Sequence, residues 1–246
     1  MPDSYISINE ALKHAGAQLG ARVEIRWLDT EAFEKDPGLM EEELESVDGV
    51  LLTPGFGSRG VEGMIAVAEY ALERGIPFLG ICFGAQLLFV AFCRRVMGYR
   101  RAHTTEVDPG TPYPVVDLLP EQKSVKAKGG TMRLGGHLIV LKRGTKLHEA
   151  YGKDRIIERF RHRYHIVPEY ARKAEERGLK IAATDESGRI VNGIEIAGDP
   201  WIVGVQFHPE FKSRPGRPSP IYLAFVSRAL EFKKKRERAT LPSLKA

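Results

Sequence analysis

The sequence predicts an α/β fold with a doubly wound, mostly parallel sheet, flanking helices and a small antiparallel portion. In the first hundred residues, short apolar runs typical of buried strands alternate with longer segments of helical periodicity. Such alternation is typical of parallel sheets covered by helices. The stretch from about 108 to 148 is rich in proline and glycine, which indicates turns and antiparallel strands.

The first half of the chain supplies helices and parallel strands. Gly20 and Gly75 each follow a helix-periodic segment and mark its end. The predicted elements are, in order, a helix over 4–19, a strand over 23–28, an acidic helical turn over 41–46, a strand over 47–53, a helix over 61–74, a strand over 78–81 and a helix over 83–97.

The second half is richer in strands and closes with a helix. Ala197-Gly198-Asp199-Pro200 is a turn that joins two strands into a hairpin. The predicted elements here are strands over 137–141, 156–164, 190–196 and 202–207, followed by a helix over 220–232.

Bulk composition indicates a single globular domain. The 246 residues are 43% hydrophobic, which suffices for a sizeable core, and no linker divides them. We expect one domain over 1–238 and a disordered tail over 239–246. No apolar run is long enough for a bilayer, and no signal-peptide pattern is present.

The cysteines and the charges limit the cellular location and the kinds of partner that the sequence predicts. The two cysteines, Cys82 and Cys93, form no disulfide framework, which favours a reducing cytoplasm, and no Cys/His spacing indicates a zinc or other metal site. Part of the net charge of +5 lies in Lys233-Lys234-Lys235-Arg236. We interpret this run as a solvated helix end and expect no nucleic-acid or membrane partner.

One pentapeptide indicates a catalytic cysteine. Gly80-Ile81-Cys82-Phe83-Gly84 follows the apolar run 76–79 and opens a predicted helix. This is the pattern of a nucleophile elbow, a tight strand-to-helix turn, with cysteine as the nucleophile. The sulfur projects at the carboxyl edge of the sheet near a helix N-terminus, which favours the thiolate. The alternative is a buried structural cysteine.

A second motif supplies the partners that a cysteine nucleophile needs. The predicted strand over 202–207 ends in His208-Pro209-Glu210. Such a histidine can shuttle protons, and a carboxylate two residues later can orient its ring. Alone, this would more often be a loop histidine near a chance acid. Together with the elbow, it favours a Cys82, His208 and Glu210 triad.

The two motifs belong to longer blocks, Gly80-Ile81-Cys82-Phe83-Gly84-Ala85-Gln86 and Gln206-Phe207-His208-Pro209-Glu210. These two blocks resemble the signatures of the class I (triad) glutamine amidotransferases. Further blocks along the chain are Asp3-Ser4-Tyr5-Ile6-Ser7, Gly55-Phe56-Gly57-Ser58-Arg59-Gly60, Thr111-Pro112-Tyr113-Pro114, Gly129-Gly130-Thr131-Met132-Arg133-Leu134-Gly135, Arg161-His162-Arg163-Tyr164 and Phe211-Lys212-Ser213-Arg214-Pro215. This second set resembles, within that family, the glutaminase domains of CTP synthases.

This resemblance implies a flavodoxin-like α/β fold and hydrolysis of the glutamine side-chain amide. Cys82 would attack the carboxamide, His208 would pass the proton to the leaving ammonia, and Glu210 would hold the histidine. The oxyanion donors would be the backbone N–H groups of Phe83 and Gly55. In Thr53-Pro54-Gly55 the chain departs from the family's Pro-Gly-Gly, although Gly55 matches the position that counts.

The resemblance also assigns residues to the glutamine molecule itself. Glu106 would bind its α-ammonium group and Arg163 its α-carboxylate. Gln86 would contact the substrate as well, and the glutamine-binding set also includes Gly55, Phe83, Gly84 and Ala85. Without the resemblance, Glu106 and Arg163 would be interpreted as solvated surface charges. His103, His162 and His165 are interpreted as structural.

Further implications concern partners. The ammonia would pass to a synthase domain absent from this chain, which would use ATP and Mg²⁺ to convert UTP to CTP, whereas this domain would need no cofactor. The resemblance places GTP, as an allosteric effector, near 58–63, which is either a mobile lid or a helix N-cap formed by Ser58 or nearby residues. A homo-oligomer is compatible with the full enzyme. The stretch 212–220 is either an interface with the synthase domain or a proline-rich connection.

The beginning of the domain differs from the family. The family's domain opens with a strand before the Asp3-Ser4-Tyr5 loop, and the resemblance implies that this strand is missing here. We expect either an unfilled position in the sheet or another segment in its place.

Two competing functions also remain: a catalytically silent interaction module, or another cysteine hydrolase such as a γ-glutamyl peptidase. Glu106 and Arg163 argue against the latter, because a free amino acid needs both its charges bound.

Overall fold

A computed structural model describes residues 2–118 and 132–240. The helices of these residues are α1 (Ile6–Gln18), α2 (Thr30–Lys35), α3 (Pro37–Glu45), α4 (Val61–Arg74), α5 (Phe83–Arg95), α6 (Lys146–Tyr151), α7 (Pro168–Glu175) and α8 (Pro220–Thr240), with short 3-10 turns at Pro2–Tyr5 and Pro209–Lys212. The strands are β1 (Val50–Leu52), β2 (Phe78–Ile81), β3 (Ala102–Thr104), β4 (Tyr113–Asp117), β5 (Arg133–Leu141), β6 (Arg155–His162), β7 (His165–Ile166), β8 (Leu179–Thr184), β9 (Val191–Ile196) and β10 (Ile202–Val205).

The main sheet has seven strands in the order β1-β2-β10-β9-β8-β5-β6. Strands β1, β2 and β10 are parallel, whereas the pairings from β10 through β9, β8 and β5 to β6 are antiparallel. The α/β class is confirmed, but the antiparallel portion is larger than the small one predicted. The physical reason is the connections: β9 and β10 are joined by the predicted hairpin, and antiparallel neighbours need no crossover helix.

A second sheet of three short strands lies beside the main one. Strand β3 pairs in parallel with β4, and β4 pairs antiparallel with β7. Turns and antiparallel strands were predicted between 108 and 148, where β4 and β5 lie. Both strands have antiparallel partners, although β4 also pairs in parallel with β3. Of the sequence blocks quoted above, residues 129–131 lie outside the described residues.

Two apolar layers cover the main sheet, as the predicted fold requires. Successive residues of each strand face opposite layers: Phe78 and Ile202 belong to one, Leu79 and Val203 to the other. The first layer is completed mainly by α4 and α5, and the second by α1 and α8. All four residues of both β2 and β10 are buried, which fits central strands.

The predicted strand over 23–28 is wrong. The segment is extended, but no ladder joins it to another strand of the described residues. It lies across a cavity of about 950 Å³ from β1, which is an edge strand. An extended chain needs a neighbouring backbone to become a strand, and none of the described segments fills this position.

The five predicted helical segments correspond to α1, α3, α4, α5 and α8, whereas α2, α6 and α7 were not predicted. Helix α4 has the bounds predicted, but Ser58 does not cap it: Glu34 of α2 accepts hydrogen bonds from the backbone N–H groups of Glu62 and Gly63. Helix α8 extends to Thr240 and so includes residues 239 and 240 of the predicted tail, because its last turns are rich in helix-forming Lys, Arg and Glu. The rest of that tail, 241–246, lies outside the described residues.

The basic run near the C-terminus is solvated, as interpreted. Residues 233–235 are exposed on α8. Arg236 instead bonds Asp48 at 2.7 Å and the carbonyl of Val47 at 3.0 Å, which ties the helix to the loop before β1. No helix of the described residues combines the length and apolarity that crossing a membrane requires.

Candidate active site

Cys82 lies in the tight turn between β2 and α5. Its backbone has φ 54° and ψ −104°, and it is the one non-glycine residue of the described chain with positive φ. Its N–H donates to the carbonyl of Val205 on the adjacent strand β10, at 2.7 Å. Strained backbone of this kind persists where the surroundings enforce it, often at functional sites. The nucleophile elbow predicted from the pentapeptide is therefore present in the structure.

The glycines around Cys82 allow α5 to approach the sheet closely. A Cβ atom on Gly84 would lie 2.2 Å from the carbonyl oxygen of Leu52, and one on Gly80 would lie 2.7 Å from the carbonyl oxygen of Gly84. Both contacts are with backbone, which cannot move aside without shifting an element. Small residues at these two positions thus hold the helix N-terminus beneath the sulfur.

His208 and Glu210 meet in the turn that follows β10. Nδ1 of His208 lies 2.7 Å from Oε1 of Glu210, and both residues are buried. The His208 ring stacks on Phe211 with centroids 5.4 Å apart. The His208 N–H donates to the carbonyl of Arg159 on β6, at 2.8 Å. The ring is thus fixed by one carboxylate, one aromatic ring and the backbone of a neighbouring strand.

Cys82 and His208 lie at the same edge of the sheet because β2 and β10 are adjacent and parallel. Burial alone would lower the pKa of His208, but the nearby Cys82 sulfur and the Glu210 carboxylate outweigh it and raise this pKa to about 10. The imidazolium form is therefore favoured between the Cys82 sulfur and the Glu210 carboxylate. In the described structure Sγ of Cys82 also lies 3.8 Å from the carbonyl oxygen of Arg161.

The two predicted oxyanion donors lie next to each other. Phe83 begins α5, so its N–H has no partner within the helix. Gly55 is exposed in the loop after β1, and a Cβ atom on it would lie 3.5 Å from Cδ1 of Phe83. Neither N–H donates to another backbone group in the described part of the chain. Their role in binding an oxyanion stays a prediction.

Glu106 and Arg163 form the other half of the site. Oε1 of Glu106 accepts a hydrogen bond from the N–H of Gly57 at 3.0 Å. Burial raises the pKa of Glu106, while the Gly57 N–H and the positive charge of Arg163 act against the rise. Opposite charges thus stand within reach of each other beside the Gly55 loop. This is the arrangement that an amino acid with two charged groups needs. The assignment of Glu106 to the ammonium group and of Arg163 to the carboxylate stays a prediction.

Gln86 is more deeply placed than a surface contact for substrate. It is 2% exposed, and its Nε2 donates to the carbonyl of Tyr164 at 2.9 Å and to Oε1 of Gln206 at 3.0 Å. The side chain thereby joins the first turn of α5 to the segment that carries Arg163. Gly84 and Ala85, in the same first turn, are buried. Direct contact of these residues with glutamine stays a prediction.

Of the three histidines interpreted as structural, His103 and His162 have polar partners, whereas both ring nitrogens of His165 are buried without a hydrogen bond among the described residues. His103 Nε2 lies 3.1 Å from Oε1 of Glu62, and His162 Nδ1 lies 2.9 Å from the carbonyl oxygen of Tyr164. Burial lowers the pKa of His162 and of His165. No group of three metal-ligating side chains is close enough to hold a metal ion within the described ranges.

Sequence reasoning missed the contribution of β6. The carbonyls of Arg159 and Arg161 contact His208 and Cys82, and these are backbone groups without a sequence signature. The strand itself was predicted over 156–164. Its closeness to the elbow depends on the order of strands in the sheet, which periodicity alone does not give.

Comparison with known proteins identifies the family. The model of the class I glutamine amidotransferase family matches residues 1–227. The chain belongs to this family. This glutamine amidotransferase is also 48% identical over 235 residues to a CTP synthase of Archaeoglobus fulgidus and 50% identical over 230 residues to one of Methanopyrus kandleri. The matches cover 96% and 93% of this chain but only 43% of each relative, so the chain spans less than half the length of these proteins.

Solved structures agree with the family assignment. A glutaminase domain of the Trypanosoma brucei CTPS with bound acivicin superposes with a TM-score of 0.87 and 30% identity, and the match covers 93% of this chain and 89% of that one. A putative GMP synthase subunit of Thermoplasma acidophilum, at 19% identity and a TM-score of 0.57, shares the fold. The amidotransferase is thus similar to a CTP synthase glutaminase domain over nearly its whole length.

Proposed function

We propose that this chain is the glutaminase domain of a CTP synthase and hydrolyses L-glutamine to glutamate and ammonia. The observation that carries the proposal is the strained Cys82 beside the buried His208 and Glu210 pair, at the carboxyl edge of two adjacent parallel strands. Relatives that are 48% and 50% identical support the choice of CTP synthase within the family.

In the proposed reaction, the Cys82 thiolate attacks the side-chain carbonyl carbon of glutamine. The resulting oxyanion accepts hydrogen bonds from the N–H groups of Gly55 and Phe83. His208 then protonates the departing nitrogen, which leaves as ammonia, and a γ-glutamyl thioester remains on the sulfur. Water, deprotonated by His208, hydrolyses the thioester to glutamate and restores the thiol.

The substrate is proposed to be held by charge at its other end. Glu106 would bind the α-ammonium group and Arg163 the α-carboxylate, with Gln86 keeping the Arg163 segment against α5. The Gly55–Gly57 loop, which includes the 88% exposed Phe56, would cover the bound amino acid. We propose that the ammonia passes to a synthase domain on which ATP and Mg²⁺ drive the conversion of UTP to CTP, and that GTP acts near 58–63.

Release of ammonia from glutamine tests the proposal directly. We expect glutamate and ammonia in equal amounts, faster when a separate synthase domain and GTP are added. A glutamine-like chloro-ketone should add to Cys82 and be blocked by glutamine, as mass spectrometry would show. Labelling that glutamine does not slow would favour another cysteine hydrolase. No ammonia under any of these conditions, with Cys82 intact, would contradict the proposal.

A further inference from the structure

A second carboxyl group is buried behind the candidate triad. Strand β6 alternates between exposed and buried residues, and Ile156, Glu158, Phe160 and His162 point inward. Glu158 is 3% exposed, although burying a carboxylate is costly unless it is paired. The proposed mechanism does not use it, so its presence in this layer requires another explanation.

The contacts of Glu158 are incomplete. Its Oε1 accepts a hydrogen bond from the hydroxyl of Tyr151 on α6, at 3.1 Å, whereas its Oε2 is buried without a hydrogen-bond partner among the described residues. The second oxygen of Glu210, Oε2, is in the same condition. The Tyr151 ring also packs edge-on against Phe207, the residue before His208.

The turn that carries Glu210 is fixed to β6 on both sides of Glu158. The His208 N–H donates to the carbonyl of Arg159, and Lys212 Nζ donates to the carbonyl of Ile157 at 2.6 Å. Residues 157 and 159 flank Glu158, and the charges of Glu210 and Lys212 act on its carboxyl group, so Glu158 lies close to the turn between His208 and Lys212. The ionisable groups that face this region are His137 on β5, Tyr151 on α6, Glu210 and Lys212 on the turn, and Tyr222 on α8.

We propose that Glu158 is a positioning residue that adds or removes a negative charge behind Glu210 and thereby tunes the Cys82 and His208 pair. This inference rests on the proposed function only for the role of that pair. When Glu158 is protonated, Glu210 is the single carboxylate facing the imidazolium. When Glu158 ionises, a second negative charge strengthens the attraction for the imidazolium and hence for the thiolate beside it.

Glu158 changes its protonation state within a pH range that experiments can reach. Burial raises the pKa of Glu158 to about 7; Lys212 and the Tyr151 hydroxyl oppose the rise, and the charge of Glu210 adds to it. A change of charge behind Glu210 is therefore expected near neutral pH.

Alkylation of Cys82 by iodoacetamide tests the inference without glutamine. The matched variants are Glu158→Gln, which keeps the shape of the protonated side chain, and Glu149→Gln, which removes an exposed carboxylate from α6. We expect the rate for the wild type relative to Glu158→Gln to be near 1 at pH 6 and to rise to about two- to tenfold by pH 8.5. The ratio to Glu149→Gln should stay flat. A flat ratio for Glu158→Gln as well would overturn the inference.

A second variant keeps the carboxyl group and moves its titration. Tyr151→Phe removes the hydrogen bond that favours ionised Glu158, so Glu158 should ionise at higher pH in this variant than in the wild type. The alkylation rate of the wild type relative to Tyr151→Phe should therefore pass through a maximum above pH 7. A ratio that stays constant from pH 6 to 8.5 would contradict the inference even if Glu158→Gln did not fold. Because alkylation needs no substrate, its result can be read whether or not the protein releases ammonia.

Discussion

The two halves of the candidate site are built differently. Cys82, His208 and Glu210 are buried at the ends of the paired strands β2 and β10, and backbone hydrogen bonds to neighbouring strands hold Cys82 and His208. The candidate substrate half, with Glu106 and the Gly55–Gly57 loop, is more exposed, and a hydrogen bond from the Gly57 N–H to Glu106 joins its two segments. The groups proposed to react are thus preorganised by the sheet, whereas the groups proposed to hold glutamine lie on loops.

The largest effect should come from the nucleophile. Cys82→Ala should lower kcat for glutamine hydrolysis by at least about 10⁴-fold, because no thioester can form. The matched control is Cys93→Ala, since Cys93 is fully buried in α5 and burial raises its pKa. Ammonia release measures both. Equal activity of the two variants would show that Cys82, at the edge of the sheet, is not the nucleophile.

Removing the carboxylate of the triad should have the next largest effect. Glu210→Gln is expected to lower kcat by about 10²- to 10⁴-fold, because the imidazolium loses its stabilising charge and its fixed orientation. The pKa of His208, about 10 in the wild type, should fall. The loss of protonated His208 would then begin at lower pH in a pH profile of kcat. A profile identical to that of the wild type would contradict the account.

Substitutions in the substrate half should raise KM for glutamine more than they lower kcat. Glu106→Gln and Arg163→Gln are each expected to raise KM for glutamine by about 10- to 100-fold, since a charged hydrogen-bonded contact is worth roughly 1.5–3 kcal/mol. Iodoacetamide should still alkylate Cys82 at the wild-type rate in both. Arg163→Lys keeps the charge but not the planar guanidinium group, so its KM should lie between those of the wild type and Arg163→Gln.

A smaller effect is expected from the packing beneath the elbow. Gly84→Ala should lower the free energy of unfolding by about 1–3 kcal/mol, since its Cβ would lie 2.2 Å from the Leu52 carbonyl oxygen. Gly110→Ala, whose Cβ meets nothing nearer than 3.5 Å, is the matched control and should change it by less than about 0.5 kcal/mol. Urea denaturation of both variants compares them. Equal stabilities would mean that α5 does not need its close approach.

The sequence predicted the elements that carry local signals, but not the features that depend on contacts between distant segments. The elbow strand, α4, the hairpin before β10 and the triad residues carry local signals, namely apolar runs, glycine stops and two motifs. The strand over 23–28 was wrong because a strand depends on its neighbour as well as on its own residues. The large antiparallel arm and the approach of β6 to Cys82 depend on strand order, and Glu158 was missed because its significance comes from burial.

The central claim is that one cleft unites the Cys82 sulfur and the His208 imidazole. The most direct measurement is the titration of His208 by NMR in protein labelled at histidine, with Cys82→Ala compared with the wild type. The account predicts that wild-type His208 stays protonated to about pH 10 and that the variant loses its proton at clearly lower pH. A His208 that titrates near pH 6.5 in both proteins would contradict it.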